Sequence, residues 1–147
     1  MKSRVGRSLV LGLATALVMV VAACGERQAL QPEIRLSTEN FTFRISSEPM
    51  PPHAREPIHW TVRVLDRETR QPVQGGEGRI FATSHEGVNA WDGFAPGEEP
   101  GVYTGTFNFL TAGGWAMAVQ FRTDSTQRLD RVDWLQEVLP ERPLGTP

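Results

Sequence analysis

The side chains best suited to hold a metal ion are one methionine and three histidines: Met50, His53, His59 and His85. Thioether sulfur and imidazole nitrogen are soft ligands that suit Cu(I). The first two are three positions apart in a proline-rich stretch, and His59 has the spacing of an outward-facing strand residue. A copper site built from these four side chains is one hypothesis, and solvated loop residues are the other. Met117 has core spacing and is predicted to pack.

The sequence carries no grouping typical of an enzyme. Ser84, His85 and Glu86 are adjacent, whereas a catalytic triad needs residues that meet in space. The G-x-S-x-G nucleophile motif does not occur. The paired carboxylates Glu98 and Glu99 lie in a turn rich in proline and glycine, where a solvated loop is expected. We therefore predict a protein that is not an enzyme.

Trp91 stands in the polar, glycine-containing stretch Asn89–Phe94. An exposed tryptophan there could anchor a partner protein, with His85 beside it, because aromatic anchors dominate interface energies. Alternatively, a loop tryptophan could close one open end of the domain, and we favour this second interpretation. Trp60 and Trp115 have core spacing and are predicted to be buried, and Trp134 is undecided.

Apolar and polar residues alternate with period two along most of the chain. The clearest stretches are predicted strands at 41–46, 58–65, 103–109 and 115–122, with weaker ones at 78–84 and 88–94. Proline and glycine clusters separate them and supply turns, but no stretch between them suits a crossover helix. The pattern predicts an all-β, antiparallel immunoglobulin-like sandwich of about six to eight strands.

The C-terminal stretch 126–139 is ambiguous. Leu129, Val132, Leu135 and Leu139 follow helical spacing, which predicts a short amphipathic helix. A closing strand that includes Val132 and Trp134 is the alternative.

The first residues resemble an export signal. Three basic residues precede a short apolar stretch, and Val21-Ala22-Ala23-Cys24 follows. This segment resembles a bacterial lipoprotein signal, whose cysteine becomes the lipid-modified first residue; an uncleaved membrane anchor is the alternative. The predicted organisation is a signal peptide over 1–23, a tether over 24–32, a domain over 33–140 and a tail over 141–147. Gly25 follows the cysteine at the position where an aspartate would resemble an inner-membrane retention signal. If the host has a second membrane, this resemblance favours the outer one.

Composition narrows the class of partner. The 147 residues include 15 basic and 17 acidic side chains, for a net charge of −2, and a single cysteine. A chain with this net charge lacks the strongly basic surface that is typical of proteins that bind nucleic acid. A lone cysteine forms neither an intrachain disulfide nor a CxxC site.

Three stretches carry a family resemblance: Asp66–Val73, Pro100–Phe107 and Gly114–Val119. They resemble strands and turns of YtkA-like and FixH-like exported β-sandwich domains and, more distantly, CopC-type sandwiches. Arg70 stands where those domains usually have glycine, and we therefore expect an open turn there. The resemblance implies copper handling as one activity, although the paired M-x-x-M motif of many relatives is missing here.

These features together predict a lipid-anchored binding or accessory module of the cell envelope. Its expected partners are the membrane, through lipid on Cys24, and an envelope protein that contacts Trp91 and His85. No cofactor is expected in this interpretation. The alternative is a copper-binding or copper-delivery protein that uses Met50, His53, His59 and His85.

Overall fold

The computed structural model describes residues 32–143 and residue 145. The predicted signal peptide, the predicted lipidation site Cys24 and the predicted tether up to residue 31 lie outside the described residues. Within these residues no helix is long and apolar enough to cross a membrane. The strands are β1 Ile34–Ser37, β2 Phe41–Glu48, β3 Pro57–Asp66, β4 Glu77–Ser84, β5 Asn89–Gly93, β6 Ala95–Pro96, β7 Val102–Asn108, β8 Gly113–Arg122 and β9 Asp130–Val138.

Two antiparallel sheets enclose one core. The strand order is β1-β2-β3-β7-β6 in the five-stranded sheet and β5-β4-β8-β9 in the four-stranded sheet. This confirms the predicted antiparallel β-sandwich. The described residues form nine strands rather than six to eight. The sequence pattern did not reveal the short β1 and β6, and it predicted a helix in place of β9.

The core is built from the inward side chains of both sheets. Trp60 on β3 and Trp115 on β8 are each 1% exposed, as their spacing predicted, and Met117 is equally buried. The indole Nε1 of Trp115 donates a hydrogen bond to the carbonyl oxygen of Thr111 at 3.0 Å. Its ring meets Phe109 edge to face with centroids 5.0 Å apart, which joins the two sheets by an aromatic contact.

The connection between β3 and β4 is fixed by Tyr103. Its hydroxyl donates to the carbonyl oxygen of Val73 at 2.8 Å and accepts from the Gly76 N–H at 3.1 Å. Burial raises the pKa of this phenol, because the charged form is disfavoured away from water.

The turn at Asp66–Pro72 is closed, so the expected open turn is wrong. The Arg70 N–H donates to the carbonyl oxygen of Asp66, and the Asp66 N–H donates to that of Gln71, both at 2.9 Å. Arg70 takes the left-handed conformation, with φ of 63°, and thus occupies the geometry that glycine usually supplies. Asp66 Oδ1 accepts hydrogen bonds from the backbone N–H groups of Glu68 and Thr69, which lowers the pKa of this carboxyl.

The predicted C-terminal helix is wrong, because Asp130–Val138 forms strand β9. Val132, Trp134, Gln136 and Val138 face inward, whereas Leu135 points outward and is 85% exposed. The polar Gln136 is thus buried and the apolar Leu135 exposed, which is the reverse of the usual arrangement. This reversal hid the period of two and left helical spacing as the stronger signal.

At one end of the sandwich, here called the proline end, the first described strand begins and the last one ends. This end carries the start of β1, the end of β9, the connections at 49–56 and 109–112, and the turn at 85–88. The chain past β9 lies against the first connection: Leu139 exchanges backbone hydrogen bonds with Pro52 and Ala54. Glu141 and Arg142, at the start of the predicted tail, form ion pairs with Arg55 and Glu56.

Candidate functional site

Trp91 lies on the edge strand β5 and faces away from the core, with 63% of its surface exposed. The favoured interpretation, a loop tryptophan that closes one end of the domain, is therefore wrong. The weaker strand predicted at 88–94 is confirmed as β5, and its signal was weak because its residues alternate between exposed and only half-buried.

Four side chains form a shallow cup around this indole: Arg79, Phe81, Asn89 and Trp91, which we call the Trp91 cup. Phe81 on β4 is directly opposite Trp91 in the strand register. The cavity holds about 270 Å³ and is completed by Ala82 and Ala90. Asn89 Oδ1 accepts a hydrogen bond from the hydroxyl of Thr83 at 2.8 Å, which orients the amide at the rim.

Two arginines lie over the ring of Phe81. The guanidinium carbons of Arg79 and Arg131 are 5.0 and 5.2 Å from the ring centroid, within the range of cation–π attraction. Arg131 is also ion-paired with Asp133 at 2.6 Å.

Arg79 differs from Arg131 in its charge partner. Its Nε donates to Gln120 Oε1 at 2.8 Å, and within residues 32–143 it forms no ion pair with a carboxylate. The guanidinium is thus held by an aromatic ring and an amide, its terminal NH₂ groups form no hydrogen bond among the described residues, and Arg79 lines the cup. This arrangement is suited to a carboxylate or another strong hydrogen-bond acceptor.

The sequence identified Trp91 but missed Arg79 and Phe81. The available signal was the phenylalanine at an outward position of the strand 78–84, because large aromatic residues at such positions often mark contact surfaces. His85 lies in the exposed turn before β5 and does not line the cup.

The four copper candidates all lie at the proline end. Met50 and His53 belong to the connection 49–56, His59 is near the start of β3, and His85 is in the β4–β5 turn. His53 Nδ1 is 2.8 Å from the carbonyl oxygen of Pro140. His59 Nδ1 is 3.0 Å from the hydroxyl of Thr106 on the outer face of the five-stranded sheet.

These donors do not form a ready-made metal centre. Met50 Sδ accepts a hydrogen bond from the hydroxyl of Ser47 at 3.2 Å, which turns the sulfur toward the interior. Across the part of the chain that the structure describes, no three His, Cys, Asp or Glu side chains are grouped closely enough to hold a metal ion. The hydrogen bond from the Arg142 guanidinium holds the pKa of Glu56 below its usual value, which keeps that carboxylate in its ion pair.

The remaining candidates from the sequence take structural positions. Ser84 Oγ accepts a hydrogen bond from the Val88 N–H at 3.1 Å and closes the β4–β5 turn. Glu99 is ion-paired with Arg63 at 2.7 Å on the surface. A separate cleft of about 710 Å³ lies at the end opposite the proline end, where Asp130 accepts hydrogen bonds from Thr38 and Asn40.

The fold is similar to that of two solved proteins. A DUF4426 family protein from Pseudomonas aeruginosa PAO1 superimposes with a TM-score of 0.56 at 11% identity, over 75% of this chain and 97% of that one. A copper-bound variant of FetP from uropathogenic Escherichia coli strain F11 gives 0.53 at 10% identity, over 78% and 96%. At such identities the likeness shows the fold alone.

Neither sequence comparison finds a relative. No protein-family model matches the chain, and no curated protein matches it either. The resemblance to YtkA-like and FixH-like domains therefore stays a prediction.

Proposed function

We propose that the protein is a lipid-anchored, exported and non-catalytic binding module that holds an envelope protein at the Trp91 cup. The observation that carries this proposal is the indole of Trp91, which is 63% exposed and lies in one cup with Arg79, whose guanidinium is oriented by Phe81 and Gln120. Tryptophan and arginine are the residues most enriched in interface hot spots.

The cup lies on regular strands rather than on a loop. Arg79 is fixed by Phe81 and Gln120 before any partner arrives, which reduces the side-chain entropy lost on binding. The partner is expected to offer a flat apolar group to Trp91 and a carboxylate to the free NH₂ groups of Arg79.

The test begins with a photo-crosslinking amino acid at Asn89 of the full chain in its native host. The captured protein is then purified, and its affinity is measured for the chain that starts at Gly25. Trp91→Ala should weaken binding by at least about tenfold, or about 1.4 kcal/mol. Arg79→Gln should weaken it in the same direction.

Leu110→Ala is the matched control, because Leu110 is also exposed, at 58%, and lies outside the cup. It should leave the affinity unchanged. The proposal fails if Trp91→Ala binds as tightly as the wild type. It also fails if a crosslinker at Thr61, on the other sheet, captures the same protein equally well.

Copper binding is a second candidate, and the observation in its favour is the orientation of His53. With Nδ1 donating to the Pro140 carbonyl oxygen, the ring presents Nε2 as a free ligand, the usual arrangement behind a metal-binding histidine. A copper-bound protein also shares the fold.

Titration of Cu(I), without oxygen, and of Cu(II) into the chain from Gly25 tests this candidate. Binding tighter than about micromolar, or about −8 kcal/mol, that is lost in the His53→Ala, His59→Ala double variant would support it. Weaker binding, or binding unchanged in that variant, would exclude these ligands.

A further inference from the structure

The strand β9 is the longest edge strand of the sandwich. It extends over nine residues and pairs only with β8 among the described strands. The other edges are short or engaged: β1 has four residues and β6 two. On β5, the Asp92 carboxylate accepts a hydrogen bond from the Thr106 N–H of β7 at 2.7 Å.

The contacts at the two ends of β9 leave its middle open. Asp130 is held by Thr38 and Asn40, and Leu139 is held by Pro52 and Ala54. Between them, no other described strand pairs with the outer edge of β9. An unpaired edge of this length is a template for another strand.

The outward side chains of β9 do not have the pattern that protects such an edge. Arg131 and Asp133 form an exposed ion pair along the strand. Leu135 is 85% exposed. Glu137 has no ion pair anywhere in residues 32–143. Natural edges are usually guarded by charged side chains, above all lysine, by proline or by a bulge. Residues 131–137 contain no lysine or proline, and their charges are of both signs, so a second copy can match them.

We propose that β9 pairs with β9 of a second copy of this chain, antiparallel and centred on Trp134. In this register Arg131 is opposite Glu137 of the second copy, and the two-fold symmetry forms this charge pair twice. Opposite charges across a strand pair stabilise it, and like charges destabilise it.

The neighbouring register is less favourable. Centred on Leu135, it sets Asp133 opposite Glu137 of the second copy, and the like charges repel. The register centred on Trp134 also brings Leu135 diagonal to its counterpart, a spacing within reach of long side chains. Leu135 is then directly opposite Asp133 of the second copy, and the two leucines cover part of each other's exposed surface.

Such pairing joins the two four-stranded sheets into one sheet of eight strands. The Trp91 cups remain open because β5 lies at the far edge of each sheet. The two proposals are separable: Trp91→Ala tests the cup and Glu137→Arg tests the pairing, whereas Arg131 also contacts Phe81 of the cup.

The experiment is analytical ultracentrifugation of the chain from Gly25 over a concentration series. Glu137→Arg places the new arginine opposite Arg131 of the second copy and should raise the dimer dissociation constant by at least about tenfold. Arg131→Glu should do the same. The double variant Arg131→Glu, Glu137→Arg restores opposite charges and should return the constant to within about threefold of the wild type.

Glu68→Arg is the control, since it makes the same charge change in the exposed β3–β4 turn. A nitroxide label at Leu135→Cys should show strong dipolar broadening between copies, whereas a label at Leu110→Cys should not. Circular dichroism checks that each variant is folded. A wild-type monomer up to about millimolar concentration, a dimer indifferent to Glu137→Arg, failure of the double variant, or no broadening at position 135 would each overturn the proposal.

Discussion

At the scale of single residues, the four tryptophans occupy different environments. Trp60 and Trp115 are buried between the sheets, and Trp134 is half-buried against Trp60 with ring centroids 6.2 Å apart. Trp91 alone is mostly exposed. The same residue type therefore packs in the core at some positions and lies on the proposed binding surface at another.

Trp115→Ala should lower the free energy of unfolding by about 3–5 kcal/mol, because it removes a buried aromatic ring and leaves a cavity. Trp91→Ala should change it by less than about 0.5 kcal/mol, as expected for an exposed site. Chemical denaturation of both variants measures the difference. Equal midpoints would contradict the assignment of Trp115 to the core.

Arg70→Gly should stabilise the domain by about 0.5–1 kcal/mol. A non-glycine residue in the left-handed region costs about 1–2 kcal/mol, partly offset by the greater freedom of glycine in the unfolded chain. Arg70→Ala removes the same side chain but keeps that conformational cost, so it serves as the control. A denaturation midpoint that rises equally in both variants would show that the arginine side chain, and not its φ of 63°, is responsible.

At the scale of elements, the predictable strands are those whose inward residues are uniformly apolar. Phe41, Phe43 and Ile45 on β2 are all buried, and the sequence located this strand. The β9 strand was misread because Gln136 is 7% exposed, whereas Leu135 is 85% exposed. Tertiary packing of those two residues overrides the local pattern, and a single sequence contains no signal for that packing.

Tyr103→Phe should destabilise the β3–β4 connection by about 1–3 kcal/mol, because the Gly76 N–H loses its partner. Chemical denaturation measures the loss. As the chain has a single tyrosine, the wild-type phenol can also be titrated by absorbance, and ionisation should begin above the ordinary pKa of 10.0. Ionisation at the ordinary value together with unchanged stability in Tyr103→Phe would contradict this role.

The contact between the C-terminal segment and the connection 49–56 should weaken in acid. The pKa of Glu56 is lowered by the hydrogen bond from Arg142, so the ion pair contributes stability above the ordinary value of 4.5. That contribution is lost as the pH falls through the lowered pKa. The protection of the Ala54 and Leu139 amides against hydrogen exchange, after correction for the intrinsic rate at each pH, should fall over this range. Glu56→Gln should exchange faster at neutral pH and lose that part of the pH dependence.

At the scale of the whole molecule, the architecture was predictable and the proposed binding surface only in part. Alternating residues determine which side of each strand meets the core, which was enough to predict two antiparallel layers. The Trp91 cup depends on β4 and β5 being neighbours in exact register, and Arg79 and Phe81 are ten or more residues from Trp91. Such pairing is not encoded by any local pattern.

The lipid anchor is a prediction for the complete chain. Mass spectrometry of the mature protein should find Cys24 at the N-terminus and carrying acyl chains, which anchor strongly because each buried CH₂ contributes about 0.8 kcal/mol. Cys24→Ala should release the protein from the membrane fraction. A mature chain that retains residues 1–23 would instead support the uncleaved anchor.

The position of β1 has a mechanical consequence. This strand begins at Ile34 at the proline end and extends along β2, with Ile34 opposite Ile45 and Ser37 opposite Thr42. Hydrogen bonds between antiparallel strands are perpendicular to the strands. A force that pulls on the chain just before Ile34 along the axis of β1 therefore loads all the hydrogen bonds of this pair in shear at the same time. The first strand would have to slide along its neighbour as a unit, and it could not be peeled away one bond after another.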